Sequence, residues 1–180
     1  DLPKGIETER EFLSIDEVKL LAETECRYPL VKNAFMFSCF CGLRISDIRK
    51  RRWSQIETYT EDGEEKYRLT IRMTKTKKNI TYQLSKEAIK WLPVKGEDDV
   101  IFKGLVQHSC LCYTIKDWVE AAGIKKKITF HCARHTFATM MLTLGADIYT
   151  TSKLLGHTDI ATTEIYAKII DKKKDEAVGL

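Results

Sequence analysis

The sequence is poor in residues that break a chain, with three prolines and nine glycines among 180 residues. That excludes collagen-like and low-complexity chains, which need several times more of both. No apolar run approaches the roughly 20 residues of a bilayer-spanning helix. The first residues also lack the basic, apolar, small-residue succession of a secretory signal. A membrane helix is therefore excluded, no membrane partner is expected, and a cytoplasmic location is the expectation. No Walker loop and no cluster of acidic metal ligands is present. Six cysteines occur, but the close pairs Cys39/Cys41 and Cys110/Cys112 have one intervening residue, where zinc sites use about two to four. Free buried thiols in a reducing compartment are expected, with no metal site.

What is present describes a folded chain with its own core, since 43% of residues are hydrophobic and 31% charged. The length suits one domain of ordinary size. The net charge of +4 hides an asymmetry. Residues 1–43 carry five basic and eight acidic side chains, whereas residues 44–180 carry 25 and 18. The excess gathers in Arg49-Lys50-Arg51-Arg52, Lys75-Thr76-Lys77-Lys78, Lys125-Lys126-Lys127 and Lys172-Lys173-Lys174. Separate basic clusters on a folded chain suit an anionic polymer, because each neutralised phosphate releases counterions. The same runs also suit plain solvated faces, so charge alone does not choose.

Ser14-Ile15-Asp16-Glu17 is a capping box and predicts a helix over 15–25. An apolar helix over 30–41 follows, closed by Gly42, then a helical turn or two over 46–50. The period then changes to short β-prone runs at 56–59, 67–73 and 80–84, separated by Glu61-Asp62-Gly63-Glu64 and by 75–79. Helices are predicted over 86–91, 109–122, 131–144, 148–155 and 160–170. The fold class is α+β, mainly helical, a compact helical body with a small three-stranded antiparallel sheet.

The most informative segment is Phe130-His131-Cys132-Ala133-Arg134-His135-Thr136-Phe137. On a helix, His131, Arg134 and His135 fall within an arc of about 100°, beside an apolar stripe of Ala133, Phe137, Met141 and Leu144. A His-x₃-His pair suits zinc, but Cys132 stands where a zinc protease needs its Glu base, and Arg134 disfavours a bound cation. An oxyanion pocket fits better. Arg44 lies just past the glycine-ended helix in Gly42-Leu43-Arg44-Ile45-Ser46. His157 lies just past another in Leu154-Leu155-Gly156-His157-Thr158, and Tyr166 follows nine residues later. Taken singly, these are an exposed arginine, a turn histidine and a packed tyrosine.

Together, in this order and in these contexts, they resemble the tyrosine recombinase (integrase) family. The resemblance runs from about residue 12 to 168 and implies that family's catalytic-domain fold. It implies residues 1–11 as a linker remnant, 12–170 as the catalytic domain and 171–180 as a tail, with an N-terminal DNA-binding domain outside this chain. It assigns catalytic roles to Arg44, Lys75, His131, Arg134, His157 and Tyr166. The hairpin lysine sits in Met73-Thr74-Lys75-Thr76-Lys77-Lys78. The family often shows Lys-Thr-Gly-Lys there, which aligns Lys75, although Lys77 replaces the glycine and Lys77 and Lys78 stay open as the acid.

The residue types fit the implied chemistry. A phenol titrates near 10, so a cluster of cations helps it attack a phosphate and counters the charge that develops. Arginine forks grip two non-bridging oxygens. By the resemblance, Tyr166 is expected to form a 3′-phosphotyrosyl link, with Lys75 as the candidate acid for the departing 5′ oxygen, His131 assisting proton transfer and His157 hydrogen-bonding the phosphate. His135 buttresses the helix or the tyrosine region. The set needs no cofactor. The implied partner is double-stranded DNA, held by a homotetramer in synapsis and helped by accessory DNA-bending proteins, with integration or excision of a mobile element as the task. Two rivals share parts of this pattern: a type IB topoisomerase, which rejoins the same strand, and a non-catalytic DNA-binding module. Strand exchange between duplexes distinguishes the first, and a covalent adduct the second.

Overall fold

The computed structural model describes residues 10–179. Helices α1 (Ile15–Glu23), α2 (Pro29–Cys41) and the one-turn α3 (Ile45–Ile48) come first. A 3₁₀ turn (Trp53–Gln55) leads into strands β1 (Ile56–Glu61), β2 (Glu64–Arg72) and β3 (Asn79–Leu84). Helices α4 (Lys86–Lys90), α5 (His108–Ala121), α6 (His131–Thr143), α7 (Ile148–Leu155) and α8 (Ala161–Val178) complete the chain. The mainly helical α+β architecture is the expected one.

Helix α2 is apolar on every side and so belongs at the centre; Val31, Ala34, Phe35, Phe37 and Cys39 are fully buried. Phe35 meets Trp118 of α5 and Phe130, just before α6, edge to face at 5.6 and 5.8 Å. The sheet is antiparallel in the order β1-β2-β3, with Ile56, Leu69 and Tyr82 in one cross-strand row. Along β2 and just past it, buried Leu69, Ile71 and Met73 alternate with exposed Arg68, Thr70 and Arg72. That alternation lays one face on the helices and leaves the other to solvent.

Several boundaries differ from expectation for local reasons. Helix α1 stops at Glu23, before residue 25, because Thr24 turns extended and gives its carbonyl to Lys32 Nζ and Trp118 Nε1. The first hairpin turns on Asp62 and Gly63 alone, with φ of 54° and 77°. Such a two-residue turn keeps Glu61 and Glu64 in the strands, where they face each other. Helix α8 runs to Val178 instead of stopping at residue 170. The lysines and glutamate of residues 171–178 are good helix formers, and Lys173 Nζ lies 4.3 Å from the centre of the Phe12 ring.

The basic run at 49–52 is partly internal. Arg49 donates to the carbonyls of Leu105 and Val106, and buried Arg51 donates to that of Asp47. All six cysteines are free thiols; Cys26, Cys39, Cys41 and Cys132 are buried, while Cys110 and Cys112 are half-buried. Among the described residues no helix is long and apolar enough to cross a membrane.

Candidate active site

Two glycines set the positions of two site residues. Helix α2 ends at Gly42 in the left-handed region (φ 75°), and a Cβ there would lie 2.5 Å from Phe137 Cδ1. Only a glycine lets the chain turn this tightly against α6. The turn delivers Arg44 to the extended N-cap of α3. Helix α7 ends in the same way at Gly156 (φ 67°), where a Cβ would lie 3.0 Å from Ile80 Cδ1. His157 follows, its N–H donating to the Ser152 carbonyl.

Helix α6 carries Arg134, which is 2% exposed. Its Nη1 donates to the Gly42 carbonyl at 2.7 Å and its Nη2 to the Leu155 carbonyl at 2.5 Å. Both carbonyls sit at helix C-terminal ends, where the helix dipole favours a cation. The two bonds use two of the five guanidinium N–H groups and fix the plane of the rest. Burial, then the neighbouring Arg44, lowers its pKa to about 10, which still leaves a cation at neutral pH. The Nη1 of Arg44 is buried without a hydrogen-bond partner among the described residues. A buried, unpaired donor of this kind is costly unless a ligand takes it.

Lys75 stands in the turn between β2 and β3. Lys77, where the resembled motif has glycine, adopts φ 57° there, a left-handed conformation that glycine takes without strain. The turn closes with Lys77 N–H on the Met73 carbonyl. The N–H and hydroxyl of Thr74 both donate to Asp47 Oδ1, at 2.9 and 2.7 Å. Fully buried Asp47 lies three residues after Arg44, so this one carboxylate ties the Arg44 helix to the Lys75 turn. Sequence reasoning missed Asp47; its signal was a lone acid between Ile45 and Ile48, three residues after Arg44.

Tyr166 sits on the inner side of α8, 2% exposed. Its hydroxyl lies 2.5 Å from His135 Nδ1 and accepts from Arg10 Nη1 at 3.4 Å. The Arg10 guanidinium also lies 5.6 Å from the centre of the tyrosine ring. Arg10 was read as linker, and nothing in its sequence context marked it. One turn before Tyr166, Thr163 Oγ1 meets His157 Nδ1 at 2.7 Å.

An open cleft of about 470 Å³ brings together Arg44, Lys75, His131, Arg134, His157 and Tyr166, with Arg10 and His135 beside them. No carboxylate is among the described residues lining it. The histidines respond to burial and to the cations. Burial first, then His131, pushes His135 down to about 4. Burial, then Arg134, pushes His157 down to about 4. His131 is lowered by burial and then by Arg134. Permanently charged arginines and neutral imidazoles thus face one space with no carboxylate among its described lining residues. Such an array suits a bound oxyanion and the added charge of a five-coordinate phosphorus.

A mainly helical domain with a small antiparallel sheet, closing an Arg-Lys-His-Arg-His-Tyr cleft, is a tyrosine recombinase catalytic domain in its fold. The chain belongs to the phage integrase family, whose sequence profile matches residues 11–173. It is 30% identical to a tyrosine recombinase of Thermosipho africanus, over 93% of this chain and 60% of that protein. It is also 30% identical to tyrosine recombinase XerD of Listeria innocua, over 94% of this chain and 61% of that protein. The chain therefore spans about three-fifths of these relatives. Among solved structures it is similar to the catalytic domain of bacteriophage HP1 integrase, with a TM-score of 0.66 and 28% identity. That match covers 89% of this chain and 88% of the domain.

Proposed function

We propose that this chain is the catalytic part of a site-specific DNA recombinase, which cleaves and rejoins duplex DNA through a 3′-phosphotyrosyl intermediate. The observation that carries the reading is the cleft itself. Residues far apart in sequence meet there, and no carboxylate is among the described residues that line it. Arg44 and Arg134 bind the non-bridging oxygens of the scissile phosphate, the first through the nitrogen that has no partner among the described residues. His157, with Nδ1 engaged by Thr163, keeps Nε2 for a phosphate oxygen. Tyr166 attacks phosphorus, Lys75 gives its proton to the 5′ oxygen, and His131 assists proton transfer. The phosphotyrosine conserves the energy of the broken diester, so a 5′ hydroxyl of another duplex reverses the step.

The partner in this reading is double-stranded DNA, gripped by a homotetramer during synapsis, in the cytoplasm, with integration or excision of a mobile element as the outcome. Accessory DNA-bending proteins belong to the same proposal. A nicked suicide duplex tests it: a covalent protein–DNA adduct should form and should disappear in Tyr166→Phe. An adduct that persists in that variant, or maps to Tyr149, overturns the assignment.

A further inference from the structure

Among the described residues, the Tyr166 hydroxyl has two partners: His135 Nδ1 at 2.5 Å and Arg10 Nη1 at 3.4 Å. Neither residue has a role in the proposal above. His131, to which proton transfer is assigned there, meets His135 edge-on with ring centres 4.6 Å apart, and no hydrogen bond joins it to the phenol. The His135 ring lies 5.5 Å from that of Tyr166, centre to centre, and only 8% of the residue is exposed. The phenol thus meets an imidazole nitrogen on the floor of the cleft, largely screened from bulk water.

Resting on the reading of Tyr166 as nucleophile, we infer that His135 is the base that takes the phenolic proton in cleavage and returns it in rejoining, with Arg10 steadying the phenolate oxygen. The step balances. The O–H bond of Tyr166 breaks toward Nδ1, giving an imidazolium. The phenolic oxygen bonds to phosphorus as the bond from phosphorus to O5′ breaks, and O5′ takes a proton from Lys75. In the reverse direction an incoming 5′ hydroxyl gives its proton to Lys75, and His135 reprotonates the phenol. Both protons end where they began, so no co-reactant is needed.

The surroundings of His135 suit this role. To accept, the imidazole must be neutral with its proton on Nε2. Burial, then His131, Arg10 and Arg134, hold it neutral at neutral pH. A bound phosphodiester brings negative charge among these same cations and offsets them, so Nδ1 becomes more basic when substrate is in place. The base is therefore strengthened by the substrate on which it acts.

The test uses the full chain and duplexes of randomised sequence with 5′-bridging phosphorothiolate linkages. Their thiolate leaves without a proton, so the rate of adduct formation reports the nucleophile side alone. His135→Gln keeps a hydrogen-bond acceptor for the phenol but cannot take its proton. Adduct formation should fall by on the order of 10²-fold at equal duplex binding, as general-base loss typically does. A fluorinated, more acidic tyrosine at position 166 should restore most of that loss, which a merely positional defect would not permit. A solvent deuterium isotope effect on the unsubstituted protein gives a second measure that does not depend on how the variant folds. A wild-type rate in His135→Gln, no recovery with the acidic tyrosine, or no isotope effect overturns the base role. Failure of the unsubstituted protein to form any adduct at Tyr166 instead overturns the parent reading.

Discussion

Arg134 donates to the carbonyl of Gly42, two residues before Arg44, and to that of Leu155, two residues before His157. One guanidinium thus holds in place the two chain turns that deliver its neighbours to the cleft. Arg44 has no comparable structural duty among the described residues, where its buried Nη1 is unpartnered. The two arginines should therefore respond differently to lysine. Arg44→Lys is expected to slow adduct formation by on the order of 10²-fold with the melting temperature nearly unchanged. Arg134→Lys should slow it as much and also destabilise, because each buried carbonyl left unpaired costs about 1–3 kcal/mol. Thermal melts beside the adduct assay check this; equal melting temperatures for both variants would contradict the bracing role.

Lys77 holds φ 57°, a conformation that costs a side-chain-bearing residue about 1–2 kcal/mol. Lys77→Gly should stabilise the chain by about 1 kcal/mol or slightly less, since glycine also loosens the unfolded state. Chemical denaturation measures it. Cleavage should persist in this variant, because Lys75 carries the acid role. Lys75→Ala should be slow on ordinary duplexes and normal on 5′-bridging phosphorothiolates. Rescue of Lys77→Ala or Lys78→Ala in place of Lys75→Ala would move the acid along the turn.

The parts of the fold that obey short-range rules were legible in the sequence. The capping box at Ser14 and Glu17 forms as written, and Gly42 and Gly156 close their helices in the left-handed region. The residues taken from the family resemblance all line one cleft, and for Arg44 and His157 a short, fixed offset from those helix ends sets the position. Long-range partners were not legible. Arg10 lies 156 positions from Tyr166 in sequence, and Asp47 lies 27 from Thr74. No local pattern marks a pair that only the folded chain brings together. The reach of α8 was missed for another reason: 171–180 was read as a tail after a helix over 160–170, whereas helix propensity and the contact of Lys173 with Phe12 sustain the helix to Val178. Charge runs misled in the opposite direction, since Arg49 and Arg51 bind carbonyls within the chain.

Gly42 and Gly123 share φ 75°, yet only Gly42 faces a neighbour, with Phe137 Cδ1 2.5 Å from where a Cβ would stand. Gly123→Ala should cost only the left-handed backbone penalty of about 1 kcal/mol. Gly42→Ala should add overpacking of about 1–3 kcal/mol, because it must push the Phe137 ring or shift the turn. The second outcome also displaces Arg44, so adduct formation should fall with stability at Gly42 and stay constant at Gly123. Equal losses at the two sites would mean that the ring yields freely.

The cleft histidines make stability depend on pH in a definite direction. His135 and His157 are held at about 4 in the folded protein, against an ordinary value of 6.5. Between those values the unfolded chain binds protons that the folded chain refuses, so stability rises with pH. The stabilisation is complete above pH 6.5 and is lost as pH falls toward 4. Melting temperature should therefore drop across that window, before most carboxylates titrate. Replacing both histidines by glutamine should flatten this part of the profile, even if the variant is less stable throughout. Inorganic phosphate or vanadate should flatten it as well, because an anion between Arg44, Arg134 and the imidazoles favours their protonated forms. A melting temperature that climbs from pH 6.5 to 4.5 would mean that these imidazoles are charged in the folded protein, and His135 would then have no lone pair to offer Tyr166.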